Sequence, residues 1–400
     1  MIQTLALILC AVPVQTGQPT THFVDDDGGP GVYTSIQDAI DAAAPDDRVV
    51  VLAGTYGPFC CSKPLRILGE AGVNAGFASI GPLPANSMTI LSQIGADHIL
   101  VMSAEGVVLL DQLSASTSTF GYKSYSFLDS TDIRIHECSG SQANWEKPAF
   151  VSSACRLEVV ESTFLGGSGN HGYCESGTNG AQGAVLGPAT RAHLVHSEFR
   201  GGEGGSIPCV PPGLFCNPLS AGNGGTGIEA RNAEIIASFG SGAGAIGGAE
   251  WTCASDPGED FQVTCGSIRT DRAPTQVSGT TFCPTASVQV PSVPDPTLGR
   301  LGMATPGGTV DVIILGAPAT DLNLHVGATP VVEFVPSSAI ERLVSEDTTL
   351  ALGAFTGGPL VQSITIPPTA IVGDVIWVQA ELLGTATGTQ RSNSIPLVVR

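Results

Sequence analysis

Only 13% of the 400 residues are charged, so any chemistry must come from a small set of side chains brought into register. Two stretches superpose: Ala149 to Gly167 (AFVSSACRLEVVESTFLGG) and Ala184 to Gly202 (AVLGPATRAHLVHSEFRGG). At a constant offset of 35, Phe164 falls on Phe199 and Gly166-Gly167 on Gly201-Gly202. Thr131 to Cys138 (TDIRIHEC) precedes the first stretch by 24, and Arg231 to Ala237 (RNAEIIA) is a later copy. Such self-similarity is the mark of a solenoid. Strand alternation then predicts two inward stacks, Ile133, Leu157, Ala192 and Ala233, and Ile135, Val159, Leu194 and Ile235. Between them Arg134, Glu158, His193 and Glu234 point outward, with Asp132, Arg156, Arg191 and Asn232 alongside, on rungs ~4.8 Å apart. An arginine fork matches a carboxylate, so Arg134, Arg156, Glu158, Arg191, His193 and Glu234 form a candidate groove for an acidic or neutral polysaccharide. The same pattern is also how a solvated sheet face is stabilised, at a few tenths of a kcal/mol per cross-strand pair. The sequence weighs toward the second role.

Other motifs carry less. Asp25-Asp26-Asp27-Gly28-Gly29 offers hard oxygen donors for calcium, but its spacing fits no EF-hand, and an acidic turn needs no ion. Calcium is the one cofactor to consider, and none is required. Glu158 with Glu161 or Glu198 could make an acid/base pair, as any acidic sheet face could. Gly222 to Gly248 lacks the lysine and helix of a phosphate loop, which leaves tight rung turns as its reading. Long glycine-rich excursions such as GSGNHGYCESGTNG (167–180) are where rigid scaffolds place function. Of the eleven cysteines, Cys10 lies in the leading apolar run; the other ten show no zinc spacing, so disulfides are expected. Cys60-Cys61 is expected to bond elsewhere than to itself. Cys174 and Cys209 each lie ten residues after a repeat phenylalanine, which predicts a bridge between them, with Cys216 the rival partner.

The positioning elements start at Thr34–Gly69, TSIQDAIDAAAPDDRVVVLAGTYGPFCCSKPLRILG. Thr34 is the expected N-cap with Gln37 completing a capping box, and Ile36, Ala39, Ile40 and Ala43 form one apolar helical stripe. Pro45 ends the helix; the β-branched run Val49-Val50-Val51-Leu52 and the alternation Leu65, Ile67, Gly69 predict strands. The order T-x-I-Q-x-A-I-D-A-A, V-x-V, G-T-Y, K-x-L-x-I-x-G resembles the opening of pectin-lyase-like right-handed parallel β-helix proteins. That resemblance implies a capping helix over the first rungs and leaves the activity open, because the scaffold carries lyases, hydrolases and binding proteins alike. Polygalacturonase-type hydrolases carry N-T-D, D-D, G-H-G and R-I-K elements. Gly169-Asn170-His171-Gly172 only brushes the third, and Asp46-Asp47 lies at the cap. Pectate-lyase-type enzymes group acidic calcium ligands near a basic arginine; the acids around Arg134, Arg156 and Arg191 are too scattered for that.

Ile2 to Val14 is an apolar run resembling a secretory signal, giving residues 1–20 as signal peptide. No later run reaches the ~18 apolar residues of a membrane span. A net charge of −20 argues against nucleic acid, whose binding needs clustered lysine and arginine. Residues 21–286 are expected to form the β-helix with Trp251 to Cys283 closing its far end, 287–296 a proline-spaced linker, and 297–400 a β-sandwich. In the last segment P-G-G-T-V, I-P-P-x-x-x-x-G-D-x-I-W-V-Q-A and S-N-S-I-x-L-x-V resemble C-terminal accessory domains of secreted planctomycete-type proteins. That resemblance makes Trp377 a core aromatic, alternating inward near Ile371, Val375 and Val378, and starts the closing strand at Ser392-Asn393. The expectation is thus an all-β, secreted or cell-surface protein that binds polysaccharide or envelope material without catalysis. The alternative is a polysaccharide lyase or glycoside hydrolase acting at the charged face.

Overall fold

The computed structural model describes residues 19–117, 124–143, 147–170, 177–205, 222–238, 245–246, 258–271, 277–279, 287–289, 295–328, 330–333, 342–344 and 348–400. The chain divides into two compact units at residues 290 and 291. The first is one large parallel sheet system, and the second holds small antiparallel sheets.

In the first unit the chain passes through three parallel ladders in turn, an arrangement compatible with a parallel β-helix. Ladder one runs through Thr21–Val24, Arg48–Val51, Arg66–Gly69, Met88–Ser92, Val107–Asp111, Asp132–His136, Arg156–Val160 and Arg191–Val195, and on to Ser287–Gln289. Ladder two includes Ser114–Thr117, Ser139–Gln142, Thr163–Leu165 and Glu198–Arg200. Ladder three includes Tyr125–Leu128, Phe150–Ser153, Ala184–Leu186 and Val277–Gly279. Residues 287–289, expected to open the linker, instead continue ladder one.

The expected offsets hold through the middle rungs: Leu157 lies opposite Ile133 and Ala192 opposite Leu157. The next rung is slipped by two. Arg191 faces Glu234, Ala192 faces Ile235 and His193 faces Ile236. The cause is Asn232, whose left-handed φ of 57° makes it the corner residue below Ala189 (φ 57°), with Ala189 N donating to Asn232 O at 3.2 Å. A two-residue slip keeps every side chain on its face, so Ala233 and Ile235 remain buried.

The interior is a stack of aromatic and aliphatic side chains. Phe164 and Phe199 stack with centroids 5.1 Å apart, and Tyr125 meets Phe164 edge-on at 5.2 Å. Tyr125 is fully buried and donates its hydroxyl to Ser139 O at 3.0 Å, which satisfies the polar end of the ring. Cys61, Cys138 and Cys155 are free and buried, and Cys60 is free and exposed, which corrects the expectation that these four would be bridged. The three buried thiols serve as small apolar side chains, as burial favours. Cys265 is disulfide-bonded to a partner outside the described residues. The expected Cys174–Cys209 bridge lies outside the described residues.

The helix spans Ile36–Ala42, and its N-cap is Ser35, whose Oγ accepts from Asp38 N at 3.4 Å, rather than Thr34. Gln37 is spent elsewhere, its Oε1 accepting from Cys60 N at 2.7 Å. At the other end Lys63 Nζ donates to Ile40 O, Asp41 O and Ala43 O at 2.9–3.0 Å, covering carbonyls the helix leaves unpaired.

The described parts of the glycine-rich excursions bind one another through their backbones. Gly202 N donates to Ala181 O, Gly205 N to Thr178 O, Gly222 N to Gly205 O and Gly225 N to Gly202 O, all at 2.8–3.0 Å. Donors three residues apart on each strand match the period of polyproline II chains. Such chains approach too closely for side chains: a Cβ on Gly202 would lie 1.9 Å from Gly167 O.

The second unit contains the sheets Thr297–Leu301, Thr309–Leu315 and Leu360–Thr365, and Thr348–Phe355, Ala319–Gly327, Val375–Thr385 and Gly388–Val398, an arrangement compatible with a sandwich. Trp377 is fully buried as expected, whereas Ile371 is exposed. Ser392-Asn393 lies inside the closing strand rather than at its start. Asn393 bonds both backbone groups of Leu298, accepting from N and donating to O at 2.8 Å, and so ties the two sheets together.

Candidate functional site

The expected charged face exists as a column that is buried from Ile90 to Glu158 and partly exposed beyond. Outward positions of ladder one run Arg66, Ile90, Leu109, Arg134, Glu158, His193 and Ile236. Ile90, Leu109, Arg134 and Glu158 are all buried. Arg134, 2% exposed, clamps Asp132 through Nε to Oδ1 at 3.2 Å and Nη2 to Oδ2 at 3.0 Å, with Nη1 3.9 Å from Glu158 Oε2. Burial pulls the guanidinium pKa down, and Asp132 and Glu158 more than reverse it. Glu158 also lies 4.0 Å from His193 Nδ1. Arg191 pairs with Glu234 at 3.0 Å in an exposed bridge, and Arg156 sits in register with Arg191, like beside like. Arg134 and Arg191 are therefore engaged by the protein's own carboxylates, Arg134 in a buried cluster and Arg191 in an exposed pair.

A better-formed constellation lies at the corner between ladders one and two. One residue per rung there adopts left-handed φ: Gln93 (55°), Gln112 (54°), Glu137 (50°), Glu161 (50°) and His196 (46°). Their amides bind the carbonyl one rung on, as Gln112 N does to His136 O at 2.8 Å and Glu137 N to Val160 O at 3.0 Å. The side chains join too: Gln93 Nε2 donates to Gln112 Oε1 at 3.2 Å, and Gln112 Nε2 to Glu137 Oε2 at 2.5 Å. Beside Gln93 and Gln112 opens a groove of about 410 Å³, lined also by Gly72, Asn74, Gly95 and Ser114.

Next to this column stands a buried relay on ladder one. Ser92 Oγ donates to Asp111 Oδ2 at 2.9 Å, and Asp111 Oδ1 lies 3.1 Å from His136 Nδ1. A carboxylate only accepts, so it places the imidazole proton on Nδ1. His136 Nε2 makes no hydrogen bond and lies 3.8 Å from Glu161 Oε2. Beneath, burial pushes the Cys138 thiol up to about 12, so it is inert. Further along the corner burial lowers the His196 pKa, against the pull of Asp271.

The sequence pattern marks Glu161 as a possible acid but does not group it with Asp111, His136, Glu137 and the glutamines. The signal was available: adding 24 to Glu137 gives Glu161, the same corner of the next rung.

The triple aspartate is a turn. Asp26 Oδ2 accepts from Thr55 N at 2.8 Å, and Asp27 N donates to Asp25 Oδ1 at 3.1 Å. No family model, curated protein or solved structure matches the chain.

Proposed function

We propose that residues 19–290 are a right-handed parallel β-helix of the pectin-lyase-like kind and the following unit a β-sandwich. In this reading the chain is an exported or cell-surface protein that binds a neutral polysaccharide or envelope glycan without cleaving it. The observation that carries the reading is the row of Asn74, Gln93, Gln112 and Ser114 along one groove. Gln93 and Gln112 on adjacent rungs, with Asn74 and Ser114 two rungs apart across Gly95, offer amides and a hydroxyl that suit the hydroxyls of an extended glycan, each amide both donating and accepting. An acidic glycan is disfavoured, because Glu137 and Glu161 stand at the end of that row while Arg134 and Arg191 are committed to carboxylates. Export rests on the apolar run 2–14 alone, since the four free cysteines remove part of the disulfide argument.

A second reading, glycoside hydrolysis or lyase chemistry, is favoured by His136 and Glu161 at 3.8 Å, which pair an imidazole with a carboxyl group as acid and base. One experiment separates the two. The purified protein is passed over immobilised neutral and acidic polysaccharides, while the same polymers in solution are followed for chain length. Retention on neutral polymers without shortening, lost in Gln93→Ala/Gln112→Ala, supports binding. Shortening that His136→Gln abolishes supports catalysis, and retention unchanged in the double variant removes the groove.

A further inference from the structure

Glu137, Glu161 and His136 bring one ligand atom each to within 4.8 Å of one another. Two carboxylates alone would say nothing, since exposed acidic pairs are common. What sets this group apart is the imidazole: His136 is 1% exposed, and its Nε2 is buried without a hydrogen bond on the side facing Glu161. A buried nitrogen left without a partner is unfavourable unless something fills its lone pair. The opposite nitrogen is tied to Asp111, and Asp111 to Ser92, an arrangement that fixes the tautomer and leaves Nε2 as the donor atom. A metal-bound histidine is oriented by a carboxylate in the same way. Glu161 Oε2 lies 3.8 Å from Nε2 and Glu137 Oε1 lies 4.0 Å from Nδ1 of the same ring, and both glutamates are about 30% exposed, so an ion can reach the edge of the imidazole between them.

We infer that His136, Glu137 and Glu161 form a binding site for a divalent transition-metal ion, with Asp111 and Ser92 as its outer support. One imidazole and two carboxylates make a mixed nitrogen and oxygen donor set suited to Zn²⁺. Three protein donors leave a fourth position for water or a ligand hydroxyl. Gln112, which lines the groove, already bonds Glu137, so the ion and the groove share a residue. The inference does not depend on what the groove binds.

The test uses Co²⁺ as a spectroscopic substitute for Zn²⁺, because free thiols such as the exposed Cys60 also attract zinc. Full-length protein, stripped with chelator, is titrated with CoCl₂ and read by visible absorption, and separately with ZnCl₂ by calorimetry. The expected result is one equivalent whose d–d bands appear without sulfur-to-cobalt charge transfer. Glu161→Gln, at a partly exposed position, should weaken binding at least tenfold with the apo melting temperature unchanged. Asp111→Asn should weaken it about 10- to 100-fold through the support it gives the histidine. No saturable cobalt signal in the folded parent, or affinity unchanged in both Glu161→Gln and His136→Gln, overturns the assignment. A signal dominated by sulfur charge transfer does so as well.

Discussion

Replacing Arg134 by glutamine tests the reading of the ladder-one face most directly. Glutamine keeps part of the aliphatic stem and puts a neutral amide in place of the guanidinium, removing the charge held between Asp132 at 3.0 Å and Glu158 at 3.9 Å. Asp132 and Glu158 are themselves buried, so the substitution strands two carboxylates with one cation gone. Breaking one side of such a buried pair costs about 3–5 kcal/mol, most of it the uncompensated charge. At about 2–3 °C per kcal/mol for a unit of this size, the melting temperature should fall by roughly 6–15 °C. Arg191→Gln is the internal control. That pair with Glu234 is exposed on both sides, worth ~0–1 kcal/mol, so the shift should stay within about 3 °C. Both variants are followed by calorimetry at neutral pH and by circular dichroism. If Arg134→Gln melts within the range of Arg191→Gln, the outward face of ladder one is hydrated, and the burial argument fails.

Three further outcomes follow from particular contacts. Glu381 is held down to about 2, first by its hydrogen bond to His325 and then by Arg391, against the opposing effect of burial. Its folded pKa lies below its unfolded one, so stability is full above about pH 4.5 and falls as pH drops toward 2, by on the order of 3 kcal/mol; a 291–400 fragment should melt cooperatively and show this loss, and Glu381→Gln should flatten it. Gly202→Ala should destabilise by about 2 kcal/mol or more, measured by urea unfolding, because its Cβ meets Gly167 O at 1.9 Å, while Gly57→Ala, with open space around it, should change stability by under about 0.5 kcal/mol. Peptide mapping of unreduced protein should recover Cys174 joined to Cys209, since Phe164 and Phe199 are in register at the offset of 35 that generated the pairing.

What could be read in the sequence was what repeats at short range. The offsets of 24 and 35, the first three members of each inward stack and the helix Ile36–Ala42 depend on alternation and turn residues, and these are found where local pattern places them. The slip at Asn232 escaped because the sequence alignment matched apolar residues, whereas the chain counts from its left-handed corner. Thr297–Leu301 escaped because it follows a proline-spaced stretch and gains its identity from pairing with Thr309–Leu315 and from Asn393, 95 residues away. The burial of Arg134 was illegible for a related reason. Whether an outward residue meets water depends on what packs over it, and nothing within one rung encodes that.

The same reasoning explains why the site gathers at a corner. Along a rung, inward positions are claimed by the core, and on ladder one the outward positions from Ile90 to Glu158 are buried as well. A corner residue in left-handed φ belongs to neither set. Its amide is consumed by the next rung, which fixes the backbone, while its side chain repeats once per rung at a boundary between two ladders. Changing the residue type there costs the fold little, since packing does not select it. Down this column the chain changes from glutamine at 93 and 112 to glutamate at 137 and 161 and histidine at 196. Neutral donors therefore pass into carboxylates beside the one imidazole that Asp111 orients, a gradient that an ion-paired sheet face would not need.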